Sequence, residues 1–408
     1  HNAHTIAAIH HMAKGRPFEF QRLHGMGTDL YAEVMGEKNL NVPCRVYAPV
    51  GSHEDLLPYL VRRLLENGAN TSFVNRIVDE SLPIGELVAD PVDVVRACTS
   101  KPHPRIPQPI DLFDTADSSQ RRKNSMGVNF GNDNELRALA DAVAQVPMNW
   151  AATPLVPGAK SGEALQDVTN PADRREKIGT KQQSDQATIE RALTNAHAAQ
   201  PAWDALPAAS RATILENAAD LLEARRAQFV ALCVREAGKT LPAAISEVRE
   251  AADMCRYYAA MARKLMGKPD TLTGPTGESN QLSLHGRGVF VCISPWNFPL
   301  AIFTGQVAAA LAAGNAVIAK PADQTVLIGH AAVKLLHEAG VPEAVLQFVP
   351  GKGSMIGNTL LTRPEVAGVC MTGSTETAWT INRTLAARNA QIASLIAETG
   401  GQNALIAD

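Results

Sequence analysis

The chain has 408 residues, which is long enough for two or three domains. Hydrophobic residues make up 45% of it, charged residues 19% and aromatic residues 5%, a globular composition that excludes a collagenous or wholly disordered chain. Because 38 basic and 41 acidic residues leave a formal net charge of −3, no bulk positive charge predicts binding to nucleic acid or to an acidic membrane. Apolar runs also stay well short of the roughly 20 residues that a membrane-spanning helix needs.

The first hundred residues alternate between strand-like and helix-like patterns. Phe18–Leu23 alternates apolar and polar residues, and Arg45–Ala48 is a second short run of this kind. The spacing then predicts a helix over Glu54–Asn67, with Ser52 as its N-cap and Gly68 at its end. This alternation predicts an α/β layer or part of a barrel.

Residues 101–185 are rich in proline, and only Glu135–Val146 has a helical pattern. We interpret this stretch as a connector with one docked helix. From residue 186 the pattern changes, and helices are predicted over Ser210–Ala237 and Ala243–Leu265. Short apolar strands joined by helices follow: Val289–Ile293, Ala316–Ala319, Val345–Val349, Val366–Met371 and Ser394–Ala397. Residues 186–408 are therefore predicted to form a doubly wound parallel sheet, which binds ligands at the carboxyl ends of its strands.

Each of the first two strands of this sheet ends in a loop with polar groups. Ser294-Pro295-Trp296-Asn297-Phe298-Pro299 is a rigid loop in which the Asn297 amide can donate to a developing oxyanion. Taken alone, the same residues also fit a rigid turn with a packed tryptophan. Lys320 follows the next strand and can reach ribose hydroxyls or a phosphate, although an isolated lysine there also fits an ordinary surface residue.

The next three strand ends are rich in small residues. Gly351-Lys352-Gly353-Ser354-Met355-Ile356-Gly357 opens a helix, whose N terminus favours an anionic phosphate. Thr372-Gly373-Ser374 repeats the arrangement. Glu398-Thr399-Gly400-Gly401-Gln402 places a carboxylate at a strand end, where burial would raise its pKa and make it a general base. A glutamate that caps a turn is the structural alternative.

In this order, the five loops resemble the aldehyde dehydrogenase superfamily over residues 186–408. The resemblance implies a Rossmann-type domain that binds NAD, with Asn297 as the oxyanion donor and Glu398 as the general base. The residues implied to bind NAD are Ile293, Ser294, Pro295, Trp296, Asn297, Lys320, Ala322, Asp323, Gly351, Gly353, Gly357, Thr372, Gly373, Ser374, Thr399 and Gly400. Met371 departs from the family's usual phenylalanine, and Gln402 departs from a frequent lysine.

The helix near residue 60 has one charged face. Tyr59, Arg62, Arg63 and Glu66 share that face at i, i+3, i+4 and i+7. Two adjacent guanidiniums can hold a substrate carboxylate in bidentate fashion while Glu66 orients them, although an exposed ion-paired face fits the same spacing.

This helix, with the two strands before it, resembles the end of the proline dehydrogenase barrel. The resemblance implies that Tyr47, Tyr59, Arg62 and Arg63 bind proline. It implies a FAD site as well, with the residues Leu23, Glu66, Asn70, Thr71, Ser72 and Phe73.

The two resemblances in this order are typical of the bifunctional bacterial proline utilization family. That family oxidises proline to pyrroline-5-carboxylate with FAD, and then oxidises glutamate semialdehyde to glutamate with NAD. The predicted organisation is the end of a (β/α)8 barrel (residues 1–100), a connector (101–185) and an incomplete aldehyde dehydrogenase NAD-binding domain (186–408). The resemblance further implies a homo-oligomer in the cytoplasm, with a membrane quinone as electron acceptor at the inner membrane.

Two other hypotheses differ in class. A monofunctional aldehyde dehydrogenase would leave the pattern of residues 15–80 as coincidence. A DNA-binding or scaffold module is the other alternative, but no basic helical hairpin or ribbon is visible, so we expect no nucleic acid as partner.

The cysteines and the ends of the sequence limit what this chain is expected to do alone. Because the six cysteines are scattered without a CxxC pair, we expect no zinc site and no disulfide framework. The chain opens with His1 and stops at Asp408, ten residues after Glu398, whereas the resembled family places its nucleophilic cysteine further on. Cys292 and Cys370 fall in apolar strands, where burial is expected to raise both pKa values. We therefore expect this chain alone to catalyse neither reaction.

Overall fold

The computed structural model describes residues 3–68, 81–87, 89–100, 105–114, 121–159 and 164–401. The chain divides into an N-terminal unit, His1–Ile106, and a C-terminal unit, Pro107–Asp408. The three-domain division stays a prediction, and residues predicted as a connector contribute elements to the C-terminal unit.

The N-terminal unit contains two parallel strands and helices around them. β1 (Phe20–Leu23) pairs with β2 (Cys44–Tyr47), so both predicted strands are confirmed with ends shifted by one or two residues. Its described helices are α1 (Ala3–Ala13), α2 (Thr28–Met35), α3 (His53–Gly68), α4 (Ile84–Leu87) and α5 (Pro91–Ala97). Their small core is Ile6, Phe20, Tyr31, Val34 and Val42.

Helix α3 begins where the sequence predicts. Ser52 Oγ accepts from the Asp55 N–H at 3.3 Å, and the Asp55 carboxylate accepts from the Ser52 N–H at 3.2 Å. This reciprocal capping satisfies backbone donors that the first helical turn leaves free. The Ser52 hydroxyl also donates to the Asp55 carboxylate at 2.7 Å, and this bond, together with the one from the Ser52 N–H, lowers the pKa of the Asp55 carboxyl.

A three-stranded sheet lies in the stretch predicted as a connector. β3 (Trp150–Ala152) runs parallel to β5 (Lys177–Lys181), and β4 (Gln166–Thr169) runs antiparallel to β5. Leu155 forms an isolated bridge to Phe348. The sequence pattern does not reveal these strands, because they are three to five residues long and lie in a stretch rich in prolines. The predicted helix is present as α6 (Asp133–Ala144).

Helices precede the main sheet of the C-terminal unit. They are α7 (Gln186–Ala205), α8 (Ala208–Ala224), α9 (Arg226–Ala237) and α10 (Leu241–Met266). A hairpin of β6 (Asp270–Leu272) and β7 (Asn280–Leu282) follows them.

The prediction of one helix over Ser210–Ala237 is wrong, because the chain breaks at Arg225. The φ of Arg225 is −101° and its ψ is 24°, and its N–H donates to the Leu221 carbonyl at 2.9 Å. Its guanidinium binds both carboxylate oxygens of Glu338. The break lets α8 and α9 bury separate apolar faces, which one straight helix could not do.

The main sheet is parallel throughout and has the order β10-β9-β8-β11-β12. Its strands are β8 (Val289–Ile293), β9 (Ala316–Lys320), β10 (Leu346–Phe348), β11 (Val366–Gly373) and β12 (Ser394–Thr399). The connecting helices are α11 (Ala301–Ala312), α12 (Val326–Ala339), α13 (Gly353–Leu360) and α14 (Thr375–Ala386). The predicted doubly wound sheet is confirmed.

The strand order places a binding crevice at β8. From β8 the chain winds outward through β9 and β10, and then returns to the other side of β8 as β11. Such a reversal opens a crevice at the carboxyl ends of the two strands that flank it. Among the described residues, every helix is too short or too polar to cross a bilayer.

Candidate active site

The loops at the carboxyl edge of the main sheet surround one cavity of about 1430 Å³. Nearly all residues that the aldehyde dehydrogenase resemblance singled out line it. They are Ile293, Ser294, Pro295, Trp296, Asn297, Lys320, Ala322, Asp323, Gly353, Gly357, Thr372, Gly373, Ser374, Glu398, Thr399 and Gly400. Gly351 lies instead against the side chain of Ile356 and the carbonyl of Ser184. The fold therefore brings together segments that are more than a hundred residues apart in sequence.

The loop after β8 is anchored at its start and open at its tip. Ser294 is buried, and its N–H donates to the Lys320 carbonyl at 3.2 Å, which ties this loop to the end of β9. Trp296 is 60% exposed and Phe298 43% exposed. Asn297 lies between them on the cavity wall, so its amide is available to a molecule in the cavity.

Lys320 ends β9 as a buried cation. Its side chain is 8% exposed, and Nζ donates to the Pro321 carbonyl at 2.9 Å. Burial lowers the pKa of Lys320, because removal from water penalises the charged ammonium. The nearby Asp323 carboxylate forms an ion pair with Lys181 Nζ at 2.9 Å and accepts from Gln183 Nε2 at 3.3 Å. Together Lys320 and Asp323 present a cation and an acceptor to the same end of the cavity.

The glycine loop gives the cavity a close backbone wall. Gly353 is the first residue of α13, and a Cβ there would lie 4.0 Å from Lys320 Cε. Gly357 lines the cavity one turn later. A larger residue at Gly353 would fill space beside Lys320, whereas a Cβ at Gly357 would contact the Leu361 side chain at 3.7 Å.

Sequence reasoning missed Gln306. This α11 residue lines the cavity, and its Nε2 donates to the Ile293 carbonyl at 3.3 Å and to Thr372 Oγ1 at 3.0 Å. It thereby joins the ends of β8 and β11, the strands beside the crevice. Its position within an apolar helix was the available signal. A polar stripe on α14 was missed too, formed by Thr377, Thr380 and Thr384.

Glu398 lies in the register position beside Thr372 and lines the cavity. Glu398 is exposed in this structure. Its place at the strand end, facing the cavity, agrees with the expectation.

Cys370 lines the floor of the cavity with Cys292 behind it, and the pKa prediction for one of these two cysteines is wrong. Cys292 on β8 and Cys370 on β11 are register partners, and both are buried. The hydrogen bond with Cys370, together with burial, raises the pKa of Cys292 well above its usual value. The same bond lowers the pKa of Cys370, although burial opposes it, whereas we expected an increase. The thiolate that accepts this bond is stabilised by its neighbour.

The structure describes only some of the residues expected to bind proline and FAD in the N-terminal unit. Leu23 is buried and lies in register with Tyr47, which is 46% exposed, at the ends of β1 and β2. Tyr59 is half-buried on α3. Arg62, Arg63 and Glu66 belong to α3, but their side chains lie outside the described part of the structure. The expected FAD residues Asn70, Thr71, Ser72 and Phe73 also lie outside the described residues.

Comparison with known families agrees with this architecture. The sequence profile of the aldehyde dehydrogenase family matches residues 158–408. The chain belongs to the aldehyde dehydrogenase family. The proline dehydrogenase profile matches residues 1–76 of the same chain. This second match shows that the N-terminal pattern is not a coincidence.

The relatives of this aldehyde dehydrogenase family member include bifunctional proteins. The bifunctional protein PutA of Salmonella typhimurium is 47% identical over 425 residues, which cover 100% of this chain and 31% of that protein. The chain thus spans about a third of the length of the PutA relatives that it matches. This chain contains a segment that matches the proline dehydrogenase family, followed by a segment that matches the aldehyde dehydrogenase family.

Solved structures show the same likeness. A mutant of Bradyrhizobium japonicum proline utilization A has a TM-score of 0.78 and 49% identity, over 97% of this chain and 37% of that one. A mutant of Thermus thermophilus 1-pyrroline-5-carboxylate dehydrogenase has a TM-score of 0.64 and 32% identity, over 69% of this chain and 55% of that one. Family membership implies FAD and NAD as cofactors.

Proposed function

We propose that this chain belongs to a bifunctional oxidoreductase that converts proline to glutamate. The proline dehydrogenase part would oxidise proline to pyrroline-5-carboxylate, with FAD supplying the electron acceptor. Pyrroline-5-carboxylate hydrolyses to glutamate semialdehyde, which the aldehyde dehydrogenase part would oxidise to glutamate, with NAD supplying the hydride acceptor. The observation that supports this most is the presence of the proline dehydrogenase and aldehyde dehydrogenase matches on one chain, aligned over its whole length with PutA.

The cavity of the C-terminal unit fits NAD. Its volume of about 1430 Å³ is ample for a dinucleotide, and it lies at the crevice where a doubly wound sheet binds such ligands. Lys320 and Asp323 would hold ribose hydroxyls, while the backbone at Gly353 leaves room for close approach. When bound there, NAD supplies the hydride acceptor of the aldehyde step.

Two side chains of the cavity wall have the chemistry that aldehyde oxidation needs. The Asn297 amide donates a hydrogen bond to the oxygen that becomes negative when a nucleophile adds to the aldehyde. The Glu398 carboxylate accepts a proton from the attacking water. Both line the same cavity, so they can act on one substrate.

The proline site is proposed from helix α3. Arg62 and Arg63 would hold the proline carboxylate, with Tyr47 and Tyr59 beside it, while Leu23, Glu66 and residues 70–73 would contact FAD. The support is the match to the proline dehydrogenase family over residues 1–76.

Three finer proposals rest on the resemblance alone. The protein would assemble as a homo-oligomer, work in the cytoplasm, and pass electrons from FAD to a quinone at the inner membrane surface. Sedimentation velocity tests the first. Flotation with anionic lipid vesicles, with and without proline, tests membrane association, and a chain that never floats would contradict it.

The function is tested on a full-length protein that contains this sequence. Proline-dependent dye reduction and NADH formation from pyrroline-5-carboxylate are measured separately. Glu398→Gln is expected to lower NADH formation by roughly 10²-fold and to leave the proline step intact. Arg62→Met or Arg63→Met should raise the KM for proline while FAD stays bound, and should leave NADH formation unchanged. Absence of both activities from the unmodified protein would refute the proposal.

A further inference from the structure

A buried ion pair contacts the loop that contains Asn297. Glu247 on α10 is 1% exposed, and its Oε2 accepts from the Leu300 N–H at 3.1 Å and from the Ala301 N–H at 2.9 Å. These are backbone donors at the start of α11, where a helix leaves its first N–H groups free. Leu300 occupies the N-cap position and has an apolar side chain, so a residue 53 positions earlier supplies the missing acceptor.

The second partner of this carboxylate also contacts the loop. Lys239 Nζ lies 2.7 Å from Glu247 Oε1, and its side chain is only 14% exposed. The same Nζ lies 4.4 Å from the centre of the Phe298 ring, within range of a cation–π contact. Phe298 directly follows Asn297 in the loop. The Glu247–Lys239 ion pair therefore contacts both the residue after Asn297 and the first turn of α11.

We infer that Glu247 and Lys239 form a positioning pair for Asn297. This inference rests on the proposed aldehyde dehydrogenase function, because only that reaction gives Asn297 its role. The tip of the loop is exposed at Trp296 and Phe298, so packing there restrains Asn297 little. A charged acceptor fixed on two backbone N–H groups is a strong restraint, since charge-assisted hydrogen bonds are shorter and stronger than neutral ones. Oxyanion stabilisation depends on a donor that is already in place before the reaction.

The connection that follows β9 has a similar buried glutamate, which provides a matched control. Glu236 on α9 is also buried, and its carboxylate accepts from the N–H groups of Leu327 at 2.7 Å and Ile328 at 2.9 Å at the start of α12. It therefore makes the same kind of contact after β9 that Glu247 makes after β8. Glu236→Gln perturbs an equivalent buried cap without touching the Asn297 loop.

The first test measures amide hydrogen exchange in the 408-residue chain. Glu247→Gln is expected to speed exchange at least tenfold over residues 294–301 while residues 326–328 keep their protection, and Glu236→Gln is expected to do the opposite. Unchanged exchange over 294–301, or an equal increase in both segments, would overturn the inference. If Glu247→Gln does not fold, Lys239→Met is used, because it removes the ion pair and the ring contact while the carboxylate stays.

The second test uses kinetics of a full-length protein that contains this sequence. Glu247→Gln should lower kcat of aldehyde oxidation by roughly tenfold and leave the Kd for NAD unchanged, as expected for a misplaced group. In an Asn297→Ala background the same substitution should cause no further loss. Losses that multiply would mean that Glu247 does not act through Asn297.

The two proposals fail in different ways. An unmodified protein without aldehyde oxidation refutes the proposed function, and the exchange result then still decides whether Glu247 positions the loop.

Discussion

Cys370 and Cys292 face each other in register on neighbouring strands, and the hydrogen bond between their thiols moves their pKa values in opposite directions. Cys370 also lines the cavity, whereas Cys292 lies behind it with 1% of its surface exposed. The floor of the cavity therefore contains one thiol with a lowered pKa, supported by a second thiol that stays protonated.

Cys370 should react with a small thiol reagent at lower pH than the other buried cysteines. The reacting species is the thiolate, and the Cys292 hydrogen bond stabilises it. Peptide mass spectrometry after methanethiosulfonate treatment measures the rate at each site, and bound NAD should slow the reaction at Cys370. Cys292→Ala removes the donor, so the pH midpoint of labelling should rise. An unchanged midpoint in this variant would contradict the assignment.

Lys320→Ala should weaken NAD binding by about tenfold or more, because it removes a charged donor from the cavity wall. Titration calorimetry with the 408-residue chain measures the Kd. Lys352→Ala is the matched control, since Lys352 is an exposed lysine on the neighbouring glycine loop. Equal affinity of the Lys320 variant and the unmodified chain would exclude Lys320 from the site.

Glu236 should make the C-terminal unit less stable as the pH rises. Burial, the largest cause, raises its pKa from the usual 4.5 to about 8, against the opposing hydrogen bonds from Leu327 and Ile328. Because the folded state then binds more protons than the unfolded state between pH 4.5 and 8, the free energy of unfolding falls through that window. The slope is up to about 1.4 kcal/mol per pH unit. Glu236→Gln should flatten this dependence, as urea midpoints at pH 5.5, 6.5 and 7.5 would show. An unaltered slope would count against a protonated Glu236.

Gly368→Ala should destabilise the main sheet by roughly 1–3 kcal/mol, the usual result of overpacking a core. A Cβ at this position would overlap the ring of Phe290 on the neighbouring strand. Gly400→Ala serves as the control, since none of the described residues lies within 4 Å of a Cβ placed at Gly400. Thermal unfolding of both variants compares them, and equal Tm values would show that the Phe290 ring moves aside freely.

Strand-end motifs were predictable because they depend on local chemistry. The apolar runs of β8, β9 and β11 are buried on both faces, so their hydrophobicity alone located them, and Asn297, Lys320 and Glu398 follow them in sequence. The strands β3 to β5 were missed, since their stability comes from pairing with each other rather than from a local pattern.

The sequence by itself determined the family, the parallel sheet and most of the cavity wall, because each of these follows from short runs of neighbouring residues. Tertiary structure alone decided which distant groups support that wall. Glu247 meets Leu300, Gln306 joins Ile293 to Thr372, and Cys292 meets Cys370. The sequence does not specify the partners in any of these contacts, since each joins groups that become neighbours only when helices and strands pack. The strength of each contact comes from burial, which the folded chain creates and which no local pattern of residues specifies.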